Sequence, residues 1–158
     1  MIQGKKVTGM RYREELPFRT VFVSPFDMNL LYFAPSHRRE YIDSILSRTF
    51  SQFSKVKREY DQTMRERNAL LKSIRECVAQ REDLTYWNKS FAQKAELYML
   101  YRKKWIDFTK KHDEKVSKFL QKYTLTFFYE TRLDIENGHF EEQIFTYLEE
   151  HTERDILS

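Results

Sequence analysis

Arginine and lysine are the side chains of this sequence whose types and spacing could do chemistry, and that chemistry is phosphate binding. Arg38 and Arg39 are adjacent in the first turn of a predicted helix, where cations gain nothing from the helix dipole. A bound phosphate would favour them at this position. A structural ion pair with Asp43, one turn beyond Arg39, would favour them equally.

A second group of cations lies on a long predicted helix. Arg67 occupies one position in a row of apolar residues on this helix. There it could pair with a carboxylate or bind a phosphate. Alternatively, the aliphatic part of its side chain could lie along the helix while the guanidinium stays in water. The basic residues that recur along the outer side of this helix are Lys55, Lys57, Arg58, Arg65, Lys72 and Arg75. Such residues suit sequence-independent binding of a nucleic-acid backbone, and a solvated helix surface has the same pattern.

Several kinds of site find no support in the sequence. The only glycines are Gly4, Gly9 and Gly138, so no loop can cradle a nucleotide phosphate as a P-loop does. The four histidines are scattered without metal-ligand spacing, and no nucleophile has a recognisable base, so we predict no metal site and no catalytic residue. Cys77, the single cysteine, is predicted to be a buried structural thiol in an intracellular, cytoplasmic protein.

Charge is distributed unevenly along the chain. Residues 55–122 carry 18 Lys and Arg against 10 Asp and Glu, whereas residues 130–158 carry 2 against 9. A basic middle segment suggests a polyanionic partner. The alternative is that the acidic tail neutralises the middle inside a larger assembly.

The elements that would position these residues are mainly helices. Ser36 is predicted to cap the helix that carries Arg38. Apolar residues at steps of three and four predict a helix from Phe50 to Val78, a polar turn at 80–83 and a second long helix from Leu84, which together form an antiparallel hairpin. Short apolar runs at 19–23 and 124–129 read as strands whose sheet lies outside this chain.

Motifs along the chain resemble the middle of the RecF family, ATPases of the ATP-binding-cassette type that are related to the SMC proteins. The residues that carry the resemblance are Asp27, Leu30, Leu31, Pro35, Arg38, Arg39, Tyr41, Ile42 and Asp43, then Arg67, Asn68, Leu70, Leu71 and Lys72, then Trp87 and Arg102, and finally Glu153, Arg154 and Asp155. The chain departs from the family at Phe33, where the family pattern has glycine.

The resemblance implies a mostly α fold, in which a hairpin of long helices forms an arm and the flanking strands belong to an incomplete α/β ATPase head. The expected divisions are a head segment at 1–35, the arm at 36–122, and a returning strand with an acidic helix at 123–158. The Walker A, signature and Walker B segments are missing, so this chain alone is expected to bind no cofactor and not to hydrolyse ATP.

The resemblance also implies what the full-length protein does. It would bind ATP and Mg, dimerise on ATP, bind duplex or gapped DNA and load recombinase with RecO- and RecR-like partners. Ser24, Pro25 and Asp27 fall near a nucleotide-sensing loop. The implied DNA contacts are Arg38, Arg39, Lys57, Arg58, Arg65, Arg67 and Lys72. A stand-alone helical interaction module with a basic face is the alternative function.

Overall fold

A computed structural model describes residues 24–25, 29–32, 34–120, 129, 131, 133 and 140–158. The chain divides into two compact units, one up to Gln52 and one from Phe53 onwards. The strands predicted at 19–23 and 124–129 lie outside the described residues, apart from Tyr129. The predicted domain limits at residues 35 and 122 stay a prediction.

The first unit contains a short helix α1 (Asn29–Tyr32) and a longer helix α2 (Pro35–Thr49). The prediction that Ser36 caps α2 is wrong, because the helix begins one residue earlier at Pro35 and Ala34 is the cap residue. Proline suits the first helical position, since its missing N–H would have no partner there. The helix ends at Thr49, and it buries Leu46 and Asp43.

The second unit is built on two long helices, α3 (Phe53–Arg75) and α4 (Asp83–Lys111), followed by α5 (Asp113–Leu120). At 1.5 Å per residue, α3 is about 35 Å long and α4 about 43 Å. A short turn joins α3 to α4, and the two helices pack against each other. The predicted mostly α fold with an antiparallel hairpin of long helices is therefore confirmed, with α3 shorter than predicted at both ends.

Aromatic rings form much of the hairpin interior. Tyr60 of α3 stacks on Tyr98 of α4 with ring centroids 4.4 Å apart, and Phe91 lies 5.3 Å from Tyr60. Phe53, which is fully buried, stacks on the same Tyr98 at 5.8 Å. Stacked and offset rings add to the free energy that their buried area provides. The aromatic side chains that follow helical spacing in the sequence thus pack against one another between α3 and α4.

The turn after α3 contradicts the prediction of a buried Cys77. Helix α3 ends at Arg75, two residues before Cys77, and Cys77 is exposed with a left-handed φ of 57°. The N–H of Val78 donates to the carbonyl of Ser73 at 2.8 Å, and the N–H of Cys77 donates to that of Ile74 at 2.9 Å. This pair of bonds is a Schellman motif, in which glycine usually takes the position of Cys77.

The acidic tail folds back onto the hairpin as α6 (Phe140–Glu150) and α7 (Thr152–Leu157), with a break at His151 where one helix was predicted. Phe140, Ile144 and Leu148 lie four residues apart on α6 and pack with Ala92 and Ala95 of α4 in one buried cluster. The small alanine side chains allow the two helices to approach closely. Among the described helices, none combines the length and apolar character needed to cross a bilayer.

Candidate functional site

A buried polar network connects four helices of the second unit, with Arg67 at its centre. Arg67 lies on the inner side of α3 with 6% of its surface exposed. Its Nε donates a 2.6 Å hydrogen bond to Oδ1 of Asn88 on α4. Its Nη2 forms a 2.8 Å ion pair with Oδ2 of Asp155 on α7. Of the alternatives for Arg67, the structure therefore shows the pairing with a carboxylate.

Asn88 extends the network to α6. It is fully buried, and its Nδ2 donates a 2.9 Å hydrogen bond to Oε1 of Glu149. Burying an amide or a guanidinium is costly unless its hydrogen bonds are made. Within the described part of the chain, every buried side-chain nitrogen and oxygen has a hydrogen-bond partner. Arg67 and Asn88 therefore take core positions without leaving polar groups unsatisfied.

Further polar contacts bind the tail along α4 in an antiparallel order. Arg81 at the hairpin turn pairs with Glu153, and Gln93 donates to Glu141 at 3.0 Å. Oε1 of Glu96 accepts the backbone N–H groups of Phe140 at 2.9 Å and Glu141 at 3.3 Å, and so caps the first turn of α6. A carboxylate suits this position because it satisfies N–H groups that lack helical partners and lies at the positive end of the helix dipole.

The outer side of α3 carries an exposed row of cations, which we call the α3 basic stripe and define as Arg58, Arg65 and Lys72. Within the described part of the chain, Arg58 and Arg65 form no ion pair. Lys72 lies 3.8 Å from Glu76, and both side chains are more than half exposed. The stripe therefore presents positive charge to solvent.

Other cations of the hairpin are paired within it. Lys57 pairs with Asp61 at 3.0 Å. Lys94 of α4 binds Glu59 of α3 at 2.9 Å, and this bond is the main reason that the pKa of Glu59 lies below its usual 4.5. Arg102 is buried with its guanidinium 4.3 Å from the centre of the Tyr98 ring. These three cations thus contribute to hairpin packing.

The predicted residues of the first unit are placed as follows. Arg38 and Arg39 are both exposed on the first turns of α2, whereas Asp43 is buried. Ser24 is half-buried and Pro25 is exposed, and Asp27 lies outside the described residues. The described residues contain no group of three or more histidine, cysteine, aspartate or glutamate side chains that could hold a metal ion.

Sequence reasoning missed three residues that the structure makes central. Asn88 follows the motif residue Trp87, and Asp155 ends the motif segment 153–155, but neither was predicted to bind Arg67. Glu96 was not predicted to have any role. A signal for Asn88 existed, since it is a polar residue at the step between Leu84 and Ala92 on the apolar side of α4. No comparable signal marks Glu96 in the sequence, because its two partners lie 44 and 45 positions away.

Comparison with known proteins shows that this sequence and this arrangement of helices are similar to those of RecF proteins. The chain is 36% identical over 84 residues to the DNA replication and repair protein RecF of Herpetosiphon aurantiacus, which is 52% of this chain and 22% of that protein. It is 32% identical over 101 residues to RecF of Deinococcus deserti, covering 63% and 27% respectively. The solved structure of the recombination mediator protein RecF-ATP in the RecFOR pathway superposes with a TM-score of 0.74 at 25% identity, covering 88% of this chain and 38% of that one.

Over these regions the chain is similar to RecF proteins in sequence, and its described helices are similar to the solved RecF structure in fold. No protein-family model matches the sequence. The matched regions span about a quarter of the length of these RecF relatives. The buried network joins three of the motif segments that carried the resemblance, because Arg67 comes from the first arm helix, Asn88 follows Trp87, and Asp155 ends the Glu153–Asp155 segment.

Proposed function

We propose that residues 36–122 of this chain supply the helical arm of a RecF-type DNA replication and repair protein, and that the α3 basic stripe binds the phosphate backbone of duplex DNA. The support for the first part is the similarity to RecF proteins together with the hairpin of long helices. The support for the second part is the stripe itself. Arg58, Arg65 and Lys72 are exposed cations at seven-residue intervals, which places them on one side of α3.

The observation that carries the DNA-binding proposal is that Arg58 and Arg65 of the stripe are exposed. The tail carboxylates that form ion pairs with the hairpin, Asp155 and Glu153, bind Arg67 and Arg81, which lie off the stripe. Exposed cations in a row suit sequence-independent contact with the phosphate backbone, which carries one negative charge per about 1.7 Å of duplex axis.

Four further residues are assigned by their surroundings. Lys57 is half-buried and paired with Asp61 at the surface of α3, and a surface pair of this kind is worth only about 0–1 kcal/mol, so exchanging its partner for a phosphate costs little. Arg67 is bonded to Asn88 and Asp155, and we assign it a structural part in this state. Arg38 and Arg39 are exposed, and we propose them as separate phosphate contacts of the first unit.

The activity of the whole protein is also a proposal. We propose that a longer protein containing this arm binds ATP with Mg, dimerises on ATP and acts with RecO- and RecR-like partners on gapped DNA. Within it, residues 1–35 and 123–158 would belong to the ATPase head, and Ser24, Pro25 and Asp27 would lie in its nucleotide-sensing loop. The support is the likeness to the solved structure of the recombination mediator protein RecF-ATP in the RecFOR pathway.

The test is a titration of fluorescent duplex DNA with the 158-residue chain at several salt concentrations between about 50 and 200 mM. Each phosphate contact contributes about −0.9 to the slope of log affinity against log salt. Arg58→Gln and Arg65→Gln should each make the slope shallower by about 0.9 and weaken binding to all sequences alike.

Lys118→Gln is the matched control, because it removes one exposed positive charge from α5 instead of α3. It should leave the slope nearly unchanged. Slopes for Arg58→Gln and Arg65→Gln that equal the control slope would exclude the stripe as the DNA contact. A wild-type chain that binds no duplex would favour the alternative of a helical protein-interaction module.

A further inference from the structure

Helix α7 is held to the hairpin mainly by polar contacts. Its one buried residue is Thr152, and Leu157 is 78% exposed. The ion pairs that join it to α3 and the turn are Arg67–Asp155 and Arg81–Glu153, and the half-buried Ile156 lines the same cleft as Leu71 of α3. By contrast, α6 buries Phe140, Ile144 and Leu148. A six-residue helix without buried apolar side chains is marginal by itself, so α7 can open at much lower cost than α6.

The docked position of α7 places a carboxylate at one end of the α3 basic stripe. Asp155 and Ile156 of α7 line a cleft of about 230 Å³ together with Asn68, Lys72 and Arg75 of α3. Lys72 is the last member of the stripe, and Arg75 extends its positive charge by one turn. An anion that enters this cleft would meet two cations and an amide on one side and the Asp155 carboxylate on the other.

We propose that α7 is an acidic cover for this end of the stripe, so that docking of α7 and binding of DNA phosphates at Lys72 and Arg75 oppose each other. The proposal rests on the proposed function, since it concerns the same stripe. A phosphate at the cleft is repelled by Asp155 while α7 is docked. The two equilibria are linked. The factor by which docked α7 lowers the affinity for DNA at the cleft is therefore the same factor by which bound DNA lowers the docking equilibrium constant of α7.

The expected size follows from the charges. One negative charge about 7 Å from a phosphate in water changes the affinity by about threefold. Release of α7 also has a cost, because it leaves the buried Arg67 guanidinium without its carboxylate. The docked state is therefore favoured in the free chain, and DNA shifts the equilibrium towards release.

The experiment combines hydrogen exchange with DNA titration on the full 158-residue chain. Exchange of the α7 amides is measured with and without duplex DNA for the wild type, Asp155→Asn and Glu150→Gln. Glu150→Gln is the matched control, since it removes one exposed negative charge from α6, away from the cleft. Circular dichroism checks that both variants keep the helical fold.

We expect DNA to speed exchange in α7 of the wild type while α6 stays protected. Asp155→Asn should speed α7 exchange without DNA and bind duplex about threefold more tightly than Glu150→Gln at low salt. Suppose that the wild type binds DNA through the stripe, but DNA does not speed the exchange of the α7 amides and Asp155→Asn binds duplex no more tightly than Glu150→Gln. The proposal that docked α7 opposes DNA binding would then be wrong, while the proposed function would stand. A wild type that binds no duplex at all would overturn both.

Discussion

Nε of Arg67 donates a 2.6 Å hydrogen bond to Oδ1 of Asn88, and this bond crosses the buried interface between the two long helices. The two residues are 21 positions apart, and Nη2 of Arg67 donates to Asp155, 88 positions away. A buried polar pair is satisfied in only one alignment of the helices. It therefore fixes the register of α3 against α4, as buried polar residues do in coiled coils.

Replacing Arg67 by Met should destabilise the chain by about 3–5 kcal/mol, because Asn88 and Asp155 are left without their partner. Asn88→Leu should also be costly, since it leaves a buried guanidinium with one bond fewer. The double variant should cost less than the sum of the two, with a coupling energy of about 0.5–3 kcal/mol. Urea unfolding followed by circular dichroism measures all three values.

Arg65→Met is the matched control for this cycle, because Arg65 is exposed on the same helix. Its effect should stay within about 0.5 kcal/mol. Strictly additive effects of Arg67→Met and Asn88→Leu would contradict the assignment of the pair as the register-fixing contact.

Truncation of Glu96 should loosen the tail at its first turn. Glu96→Ala removes the oxygen that accepts the N–H groups of Phe140 and Glu141, and a lost cap of this kind costs about 1–2 kcal/mol. Glu96→Gln keeps an acceptor oxygen but loses the charge, so its cost should be smaller. Hydrogen exchange of the α6 amides reports the local change.

The control for this prediction is Glu142→Gln, an exposed carboxylate in the same first turn of α6. It changes the charge near the helix dipole without removing the cap from α4. Equal protection of α6 in Glu96→Ala and in the wild type would show that Glu96 does not hold this helix end.

The hairpin could be predicted from the sequence because its cause is local and repeated. Phe53, Tyr60 and Leu71 follow helical spacing on α3, and Leu84 and Tyr98 do so on α4. Apolar side chains that recur at steps of three and four must share one side of a helix, and two such sides are buried together. Phe140, Ile144 and Leu148 of α6, which are buried, follow the same helical spacing.

The site could be predicted only in part, because its contacts are not local. The spacing around Arg67 fits a side chain whose guanidinium extends into water as well as one that is buried. The hydrogen bonds to Asn88 and Asp155, which the spacing does not reveal, show that Arg67 is buried. The end of α3 was misplaced for a related reason. Nothing at Cys77 marks a stop, since glycine, the usual residue at this position of a Schellman motif, is absent.

Cys77→Gly should therefore stabilise the chain. Cys77 has a left-handed φ of 57°. A residue with a Cβ adopts this conformation at a cost of about 1–2 kcal/mol, whereas glycine adopts it without that cost. Part of the gain is offset because glycine has more freedom in the unfolded chain, so we expect a net gain of about 0.5–1 kcal/mol. Thermal and urea unfolding would measure it.

Cys77→Ala is the control for this substitution. It removes the thiol but keeps the Cβ, so it should change the free energy of unfolding very little. A gain of equal size in Cys77→Ala and Cys77→Gly would mean that the thiol, and not the backbone conformation, carries the cost.

Stability at alkaline pH should depend on Tyr60. Burial in the hairpin raises the pKa of its phenol above the usual 10.0. Above pH 10, the unfolded chain loses this proton before the folded chain does, so the unfolded state binds fewer protons and the free energy of unfolding falls as the pH rises. Below that pH both states hold the proton and Tyr60 contributes no pH dependence.

Tyr60→Phe should remove this part of the alkaline loss, whereas Tyr86→Phe, which deletes a hydroxyl from an exposed ring, should not. The measurement is the urea midpoint of the wild type and both variants from about pH 9 to pH 11. The midpoint of Tyr60→Phe should fall less steeply than that of the other two proteins. Parallel curves for all three would show that the Tyr60 phenol titrates alike in the folded and unfolded chains, and that the aromatic interior of the hairpin does not exclude the tyrosinate.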